Sequence, residues 1–530
     1  MMSELVKTSF KKVLRRKSKE NDLPLVTAVS FEALEKPKET ITTKPITCSK
    51  CPYVLTDPKI VKSDEKIGTY FSCPYCETVN VIDPKDLPQN PLTDVDFILE
   101  PVIKTIDEVT KIAIGKQDKI LAIIDISGSM SDGKLDAVKT SLLETVKDLE
   151  VNAPGSLFGL IAFESSVYVY DHKGKIVLQL SGKTLHSMDD IASNFGKLDI
   201  TKVMTPIKET ASDWNKIVKG LNHMDMTALG PALLGGIILL RNYGGRMILL
   251  TDGLANQGIG TLERPSPQGK SIYKKLADMC LEHNLIVDVV GVRTETASNE
   301  MGLDVLGDLA DKTGGDIFFV SRQELSKAFE KIRGQEFLAR DVHLNILTPK
   351  ELESKEYVGV TRPAGPNQPV KLGGIRSGRE VYVKFTPSKD IEKEKISLQT
   401  QIKYKDKEGN LRLRVITKEV ETTDEEEDFK KEYDSKLAAT MAVQEAGEAY
   451  YQTQDLHKAK EKIQMVQNQL RSLGATPGAA PSIAVLEEQM AEMESKEEEV
   501  SKIGAAKSMR TSVAQELKRL SKKKMFKEEE

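Results

Sequence analysis

The 530-residue chain is poor in the residues and patterns that most often carry chemistry. Its six histidines are scattered and form no HxxxH or HExxH pair, so no catalytic metal site of that kind is legible. No GxSxG elbow is present, which removes the common serine-hydrolase arrangement. The SGKT at 181–184 needs a glycine at position 177 to form a phosphate loop, and that position is Val177. The GIG at 258–260 lacks the later glycine of a dinucleotide fingerprint. No apolar run reaches the roughly 20 residues a membrane helix needs. The first residues lack the apolar core of a signal peptide. There is no excess of positive charge: 76 Lys and Arg face 80 Asp and Glu, for a net charge of −4. That balance gives no global case for nucleic-acid binding.

Cysteine is scarce too, but four of the five are arranged. Cys48-Ser-Lys-Cys51 and Cys73-Pro-Tyr-Cys76 are CxxC pairs separated by 21 residues. Four thiolates at such spacing read as a tetrahedral structural zinc site, with no open position for catalysis. Free CxxC pairs also suggest a reduced, cytoplasmic setting. Cys280 falls on the apolar side of a predicted helix and reads as a small core residue.

A second constellation follows the apolar run KILAII. Asp125, Ser127 and Ser129 lie in DISGSM, Thr227 lies in MTALGPAL before an apolar helix, and Asp252 lies in TDG after another apolar strand. Ligands of open α/β sheets bind at the carboxyl ends of the strands. Short oxygen donors without His or Cys suit a hard cation such as Mg²⁺. The set resembles the metal-ion-dependent adhesion site of von Willebrand factor A domains. Asp125 and Asp252, paired with hydroxyls, read as cation ligands rather than as an acid and a base. No catalytic residue and no organic cofactor are assigned.

The period of the apolar residues divides the chain. Residues 1–20 carry seven Lys or Arg against two Glu, with Met2, Val6, Phe10 and Val13 at helical spacing. This predicts a basic amphipathic segment, either a solvated tail or a helix on a partner or an anionic membrane. Residues 21–46 hold one strand-like stretch, 25–31, and 47–86 form the zinc ribbon. From 95 to 335, apolar strands (120–126, 158–163, 167–170, 247–250, 286–292, 316–320) alternate with helices (135–150, 231–240, 272–283, 303–312, 323–332). That alternation predicts a mostly parallel sheet covered on both faces. An insertion from 171 to about 226 holds the single tryptophan, Trp214, and is expected to decorate the metal-bearing end. Over 340–422 the pattern alternates apolar and polar residues and predicts a β-sandwich, with KDKEGN as a hairpin turn. Residues 424–473 predict a helical hairpin with Leu456, Ala459, Ile463, Val466, Leu470 and Leu473 as its packing stripe. A linker (474–482) and a charged helical tail (483–530) follow. The fold class is multidomain: an α/β trunk, a zinc ribbon, a β-sandwich and a helical region.

Ribbon, A domain, sandwich and helices in this order resemble the inner-coat subunits of COPII vesicles, the GTPase-activating subunit and its cargo-adaptor relative. PITCSKCPYVLTDP, DVDFILEP, PGSLFGLIAFESSVYVYDHKG and LANQGIG are similar to segments of that family. The resemblance spans about residues 22–470. It implies that strand 25–31 joins the 340–422 region in one sandwich. Two departures stand out: the adhesion-type site looks intact, whereas eukaryotic coat subunits generally have a degenerate one, and no gelsolin-like module is visible. No GTPase-activating arginine carries over.

The leading expectation is a non-enzymatic coat-like scaffold that binds protein partners, a small GTPase or a second ribbon/A-domain chain among them, near a membrane. The alternatives are a Mg²⁺-dependent protein-binding module unrelated to vesicles and a factor assisting a ring ATPase.

Overall fold

The computed structural model describes residues 4–502 except 20–21, 35, 38, 101–117, 224–225, 253–254, 263–266, 294–302, 322–324, 334–336, 353, 361–367, 454 and 475–477. The last part of the predicted tail, 503–530, lies outside the described residues.

The trunk is an eight-stranded sheet, because its strands are apolar on both faces and must be covered twice. Strands Leu157–Phe163, Lys119–Asp125, Gly245–Thr251, Leu285–Arg293 and Ile317–Ser321 run parallel in that spatial order. Val167–Tyr170 and Ile176–Leu180 extend one edge antiparallel, and the two-residue strand Thr205–Pro206 pairs antiparallel with the start of Leu157–Phe163. Each of the six strands predicted here lies within two residues of its expected bounds. One face is covered by helices Lys134–Asn152, Ile207–Gly220 and Leu325–Arg333. The other is covered by Met188–Phe195, Leu229–Leu240, Pro267–Glu282 and Leu303–Thr313. Leu229–Leu240 is buried along its whole length, as its unbroken apolar sequence requires. Cys280 is fully buried in this layer, and burial pushes its thiol pKa up.

The 171–226 insertion does not keep to the strands' carboxyl ends. Trp214 is fully buried and packs edge-on against Phe158, with ring centroids 5.4 Å apart. Phe158 is opposite Ile120, at the amino end of both strands. The short turn Gly182–His186 does reach the expected end, where the Leu185 carbonyl accepts the Ile259 amide at 2.9 Å.

The sandwich has two sheets. The smaller has the order Val6–Thr8, Leu25–Ser30, Glu380–Thr386, Ser354–Val358. The larger runs Val370–Arg376, Phe337–Leu347, Lys395–Lys405, Leu411–Thr423, Asp94–Glu100, Glu39–Ile41. The pairing of strand 25–31 with the later region is therefore as expected: Leu25 lies opposite Phe385 and Ser30 opposite Glu380. KDKEGN turns the chain between Lys395–Lys405 and Leu411–Thr423.

The N-terminal segment is not an amphipathic helix. Val6–Thr8 pairs with Leu25–Ser30, and Lys12–Leu14 runs parallel to the end of Leu411–Thr423. Leu5, Val6, Phe10, Val13 and Leu14 are all buried in the sandwich core. Two of its basic residues pair with acidic residues of the 424–428 segment: Lys12 lies 3.1 Å from Asp428 and Arg15 lies 2.9 Å from Asp424.

Helix Ser435–Thr453 covers the outer face of the smaller sheet, so Val26 and Ala28 are buried as well as Leu25 and Val29. Ala459, Ile463, Val466, Leu470 and Leu473 are buried as the stripe predicts. The expected linker is partly helix: Ala479–Lys502 begins inside it and packs back on both preceding helices, burying Leu486 and Met493.

The ribbon is a three-stranded sheet, Val61–Asp64, Gly68–Ser72, Val79–Val81, seated on the larger sandwich sheet. Buried Gln399 both accepts from the Val54 amide at 2.9 Å and donates to its carbonyl at 2.8 Å. Gln401 donates to the Pro52 carbonyl at 2.6 Å.

Candidate functional site

Two residue clusters stand out among the described residues. In the ribbon, the sulfurs of Cys48, Cys51, Cys73 and Cys76 lie within 4.8 Å of one another, and the residues are not in disulfides. The Cys48–Cys76 and Cys51–Cys73 separations are both 3.5 Å. A tetrahedral zinc–thiolate centre with bonds of about 2.3 Å places its sulfurs at about this distance. Asn80, buried beneath the loop, aims its amide at Cys48 Sγ and accepts the Ser49 amide at 2.8 Å. The donor set and its support fit a structural zinc ion.

The second cluster lies at the carboxyl ends of two neighbouring trunk strands. Asp125 ends Lys119–Asp125, and Asp252 directly follows Gly245–Thr251. Asp125 is fully buried, accepting the Ser127 amide at 2.9 Å and the Thr251 hydroxyl at 2.6 Å. Burial first, and the nearby Asp252 carboxylate second, push its pKa up to about 7. The Ser127 and Ser129 hydroxyls are 2.9 Å apart, and Ser129 donates to Asp252 Oδ1 at 3.0 Å. Thr227 is buried before helix Leu229–Leu240. Its amide donates to Asn256 Oδ1 at 2.8 Å, and its carbonyl accepts the Asn256 and Gln257 amides. The Thr227 loop is thereby tied to the loop that carries Asp252. Gly258 permits the tie: its φ is +78°, and a Cβ there would meet Pro231 at 2.5 Å and the Leu185 carbonyl at 2.7 Å.

The structure thus joins Asp125, Ser127, Ser129 and Asp252 in one hydrogen-bonded chain and brings the Thr227 loop against it. It adds residues the motif did not reveal. Thr251 and Asn256 are polar residues within otherwise ordinary strand and loop sequence, and nothing in their spacing marks them. Lys134 is different. Its Nζ lies 3.0 Å from Asp252 Oδ2 and donates to the Ser129 carbonyl at 2.9 Å. The side chains of Lys134 and Asp252 are 11% and 7% exposed, so this is an interior ion pair. A signal was legible: Lys134 opens a helix, where a positive charge opposes the helix dipole. The oxygen donors suit a divalent ion in type. The site as built does not fit one, because a positive charge already holds Asp252.

These features define a class: an α/β trunk with a donor-rich strand end, flanked by a four-thiol ribbon and a sandwich completed by the chain's own N-terminal strands. Residues 120–339 match the Sec23/Sec24 trunk domain. With that match, the resemblance to COPII inner-coat subunits is borne out. The chain is 23% identical over 444 residues to circularly permutated Ras protein 1 of Dictyostelium discoideum, covering 75% of this chain and 50% of that protein. It is 22% identical over 407 residues to protein transport protein SEC24 of the same organism, covering 66% and 38%. The human COPII-coat protein Sec24c shares the fold, with a TM-score of 0.70 at 15% identity, over 97% of this chain and 74% of that one. The chain spans half or less of the length of these two curated relatives. Among the described residues, no helix is long and apolar enough to cross a membrane.

Proposed function

We propose that the protein is a non-enzymatic scaffold of the COPII inner-coat type that binds protein partners at a cytoplasmic membrane surface. The trunk match over 120–339 carries this reading. The fold likeness to Sec24c over nearly the whole chain supports it, because ribbon, sandwich and helices accompany the trunk. Transport proteins of the SEC24 group among the relatives favour the cargo-adaptor side of the coat. A small GTPase and a second ribbon/trunk chain are the partners proposed. The name of one relative carries a Ras protein, and half of that relative's length lies outside the shared part.

Zinc at Cys48, Cys51, Cys73 and Cys76 holds the ribbon on the sandwich in this reading. A second reading, a Mg²⁺-dependent binding module, rests on the oxygen set Asp125, Ser127, Ser129, Thr227 and Asp252. Lys134 weighs against it. The test is an affinity pull-down of the full chain from native extract, with Mg²⁺ or with EDTA, identified by mass spectrometry. Recovery of a small GTPase or a second ribbon/trunk chain is expected. Recovery of unrelated proteins in Mg²⁺ alone would replace the scaffold reading with the second one.

A further inference from the structure

We infer that Lys134 is a tethered cation standing in for a divalent metal at the trunk's strand-end site. The site has the oxygen donors of a cation site and obtains its positive charge from the chain itself. Three observations carry the inference. The ammonium of Lys134 contacts the two groups that most need a cation, Asp252 Oδ2 at 3.0 Å and the Ser129 carbonyl at 2.9 Å. The pair is interior, so the charge is not shared with solvent. The backbone is bent to deliver it. Asp132 and Gly133, with φ of +56° and +78°, form a left-handed pair directly before Lys134. A left-handed aspartate is uncommon and is retained where the surroundings fix it.

Local preference also runs the wrong way. A lysine at the first position of a helix is disfavoured by the dipole, and it has entered a nearly closed pocket. Residues that break several local rules at once mark sites with a role. The two carboxylates of the site, Asp125 and Asp252, supply the negative charge that compensates it. A divalent ion beside a retained ammonium would place three positive charges against those two carboxylates. Metal and lysine therefore exclude each other. The trunk's strand end is then a fixed, metal-independent surface, and it becomes an ion site only when Lys134 withdraws.

Mn²⁺ is the probe, titrated into the zinc-loaded full chain and followed by electron paramagnetic resonance of free Mn²⁺. The wild-type chain is expected to show no strand-end binding at millimolar Mn²⁺. Lys134→Met should gain a site at least on the order of tenfold tighter, since the blocking charge is gone and its volume is kept. Adding Asp252→Asn to Lys134→Met should remove that site. Circular dichroism shows whether each variant folds, and Lys134→Gln, which keeps a donor to Ser129 and Asp252, serves if Lys134→Met does not. Wild-type binding that is lost in Asp252→Asn would overturn the inference. So would folded lysine variants that bind Mn²⁺ no better than wild type.

Discussion

Arg376 joins the trunk to the sandwich through a carboxylate buried inside a trunk strand, and its removal should weaken both. Asp288 lies within Leu285–Arg293 and is fully buried. It receives the Arg246 guanidinium from the neighbouring trunk strand, Arg376 at 3.0 Å from the sandwich, and the Asp316 amide at 2.9 Å. Arg376 also holds the Asp316 carboxylate at 2.9 Å. Breaking a buried pair by removing one partner costs about 3–5 kcal/mol, because the remaining charge is stranded. Asp288 keeps Arg246 and an amide, so Arg376→Met should cost about 3 kcal/mol, the low end of that range. With a urea slope of about 2–3 kcal/mol/M, the midpoint should fall by about 1–1.5 M. Trp214, the single tryptophan, is buried in the trunk, so its fluorescence reports that unit while far-ultraviolet circular dichroism reports the whole. Adding Asp288→Asn to Arg376→Met removes the stranded charge. The double variant should be less destabilised than the sum of the single ones, by about 1–3 kcal/mol. A midpoint shift below about 0.3 M, or additivity within about 0.5 kcal/mol, would refute the reasoning.

Cys51→Ser should abolish stoichiometric zinc, read by metal analysis of the purified chain, and expose the 61–81 sheet to protease, since structural zinc contributes folding free energy directly. Phe10→Ala should cost about 3–5 kcal/mol, because Phe10 is 1% exposed in the sandwich core. Lys12→Glu should leave the urea midpoint close to that of the wild type, since its partner Asp428 is half exposed. A membrane-lying segment would instead lose binding to anionic liposomes in Lys12→Glu and keep its stability in Phe10→Ala.

The parts legible in the sequence are those whose partners lie close by or whose environment is uniform. ILAII, MILLT and LIVDVV read as strands because a sheet covered on both faces leaves no polar side. The thiol pairs read as a ribbon because ligand spacing is a local property. The N-terminal strands were not legible. Val6, Phe10 and Val13 fit a helical period, but the interrupted strands pair with Val29 and Thr422, the latter far along the chain. Tertiary pairing overrides local period in that case. The 474–482 stretch misled in the opposite direction. Its Gly, Pro and Ala suggested a linker, yet the helix beginning at Ala479 gains the cover of two neighbours. Asp288 interrupts an otherwise apolar strand, and its partners Arg246 and Arg376 come from a neighbouring trunk strand and from the sandwich.

The strand-end site shows the same limit at the level of charge. Order along the chain and resemblance to adhesion-type sites group Asp125, Ser127, Ser129, Thr227 and Asp252 as one donor set, and donor type suits a positive charge there. Neither says where the charge comes from. Metal selection from a donor list assumes that no side chain competes, which is a statement about three dimensions. Lys134 lies five positions beyond Ser129, across a turn with two left-handed residues, and that turn rather than the motif directs it inward. If Lys134 excludes the ion as proposed, an adhesion-type motif can be intact by sequence while its chemistry has changed. A coat-type trunk with such a site would keep a rigid strand end without depending on the supply of a free ion.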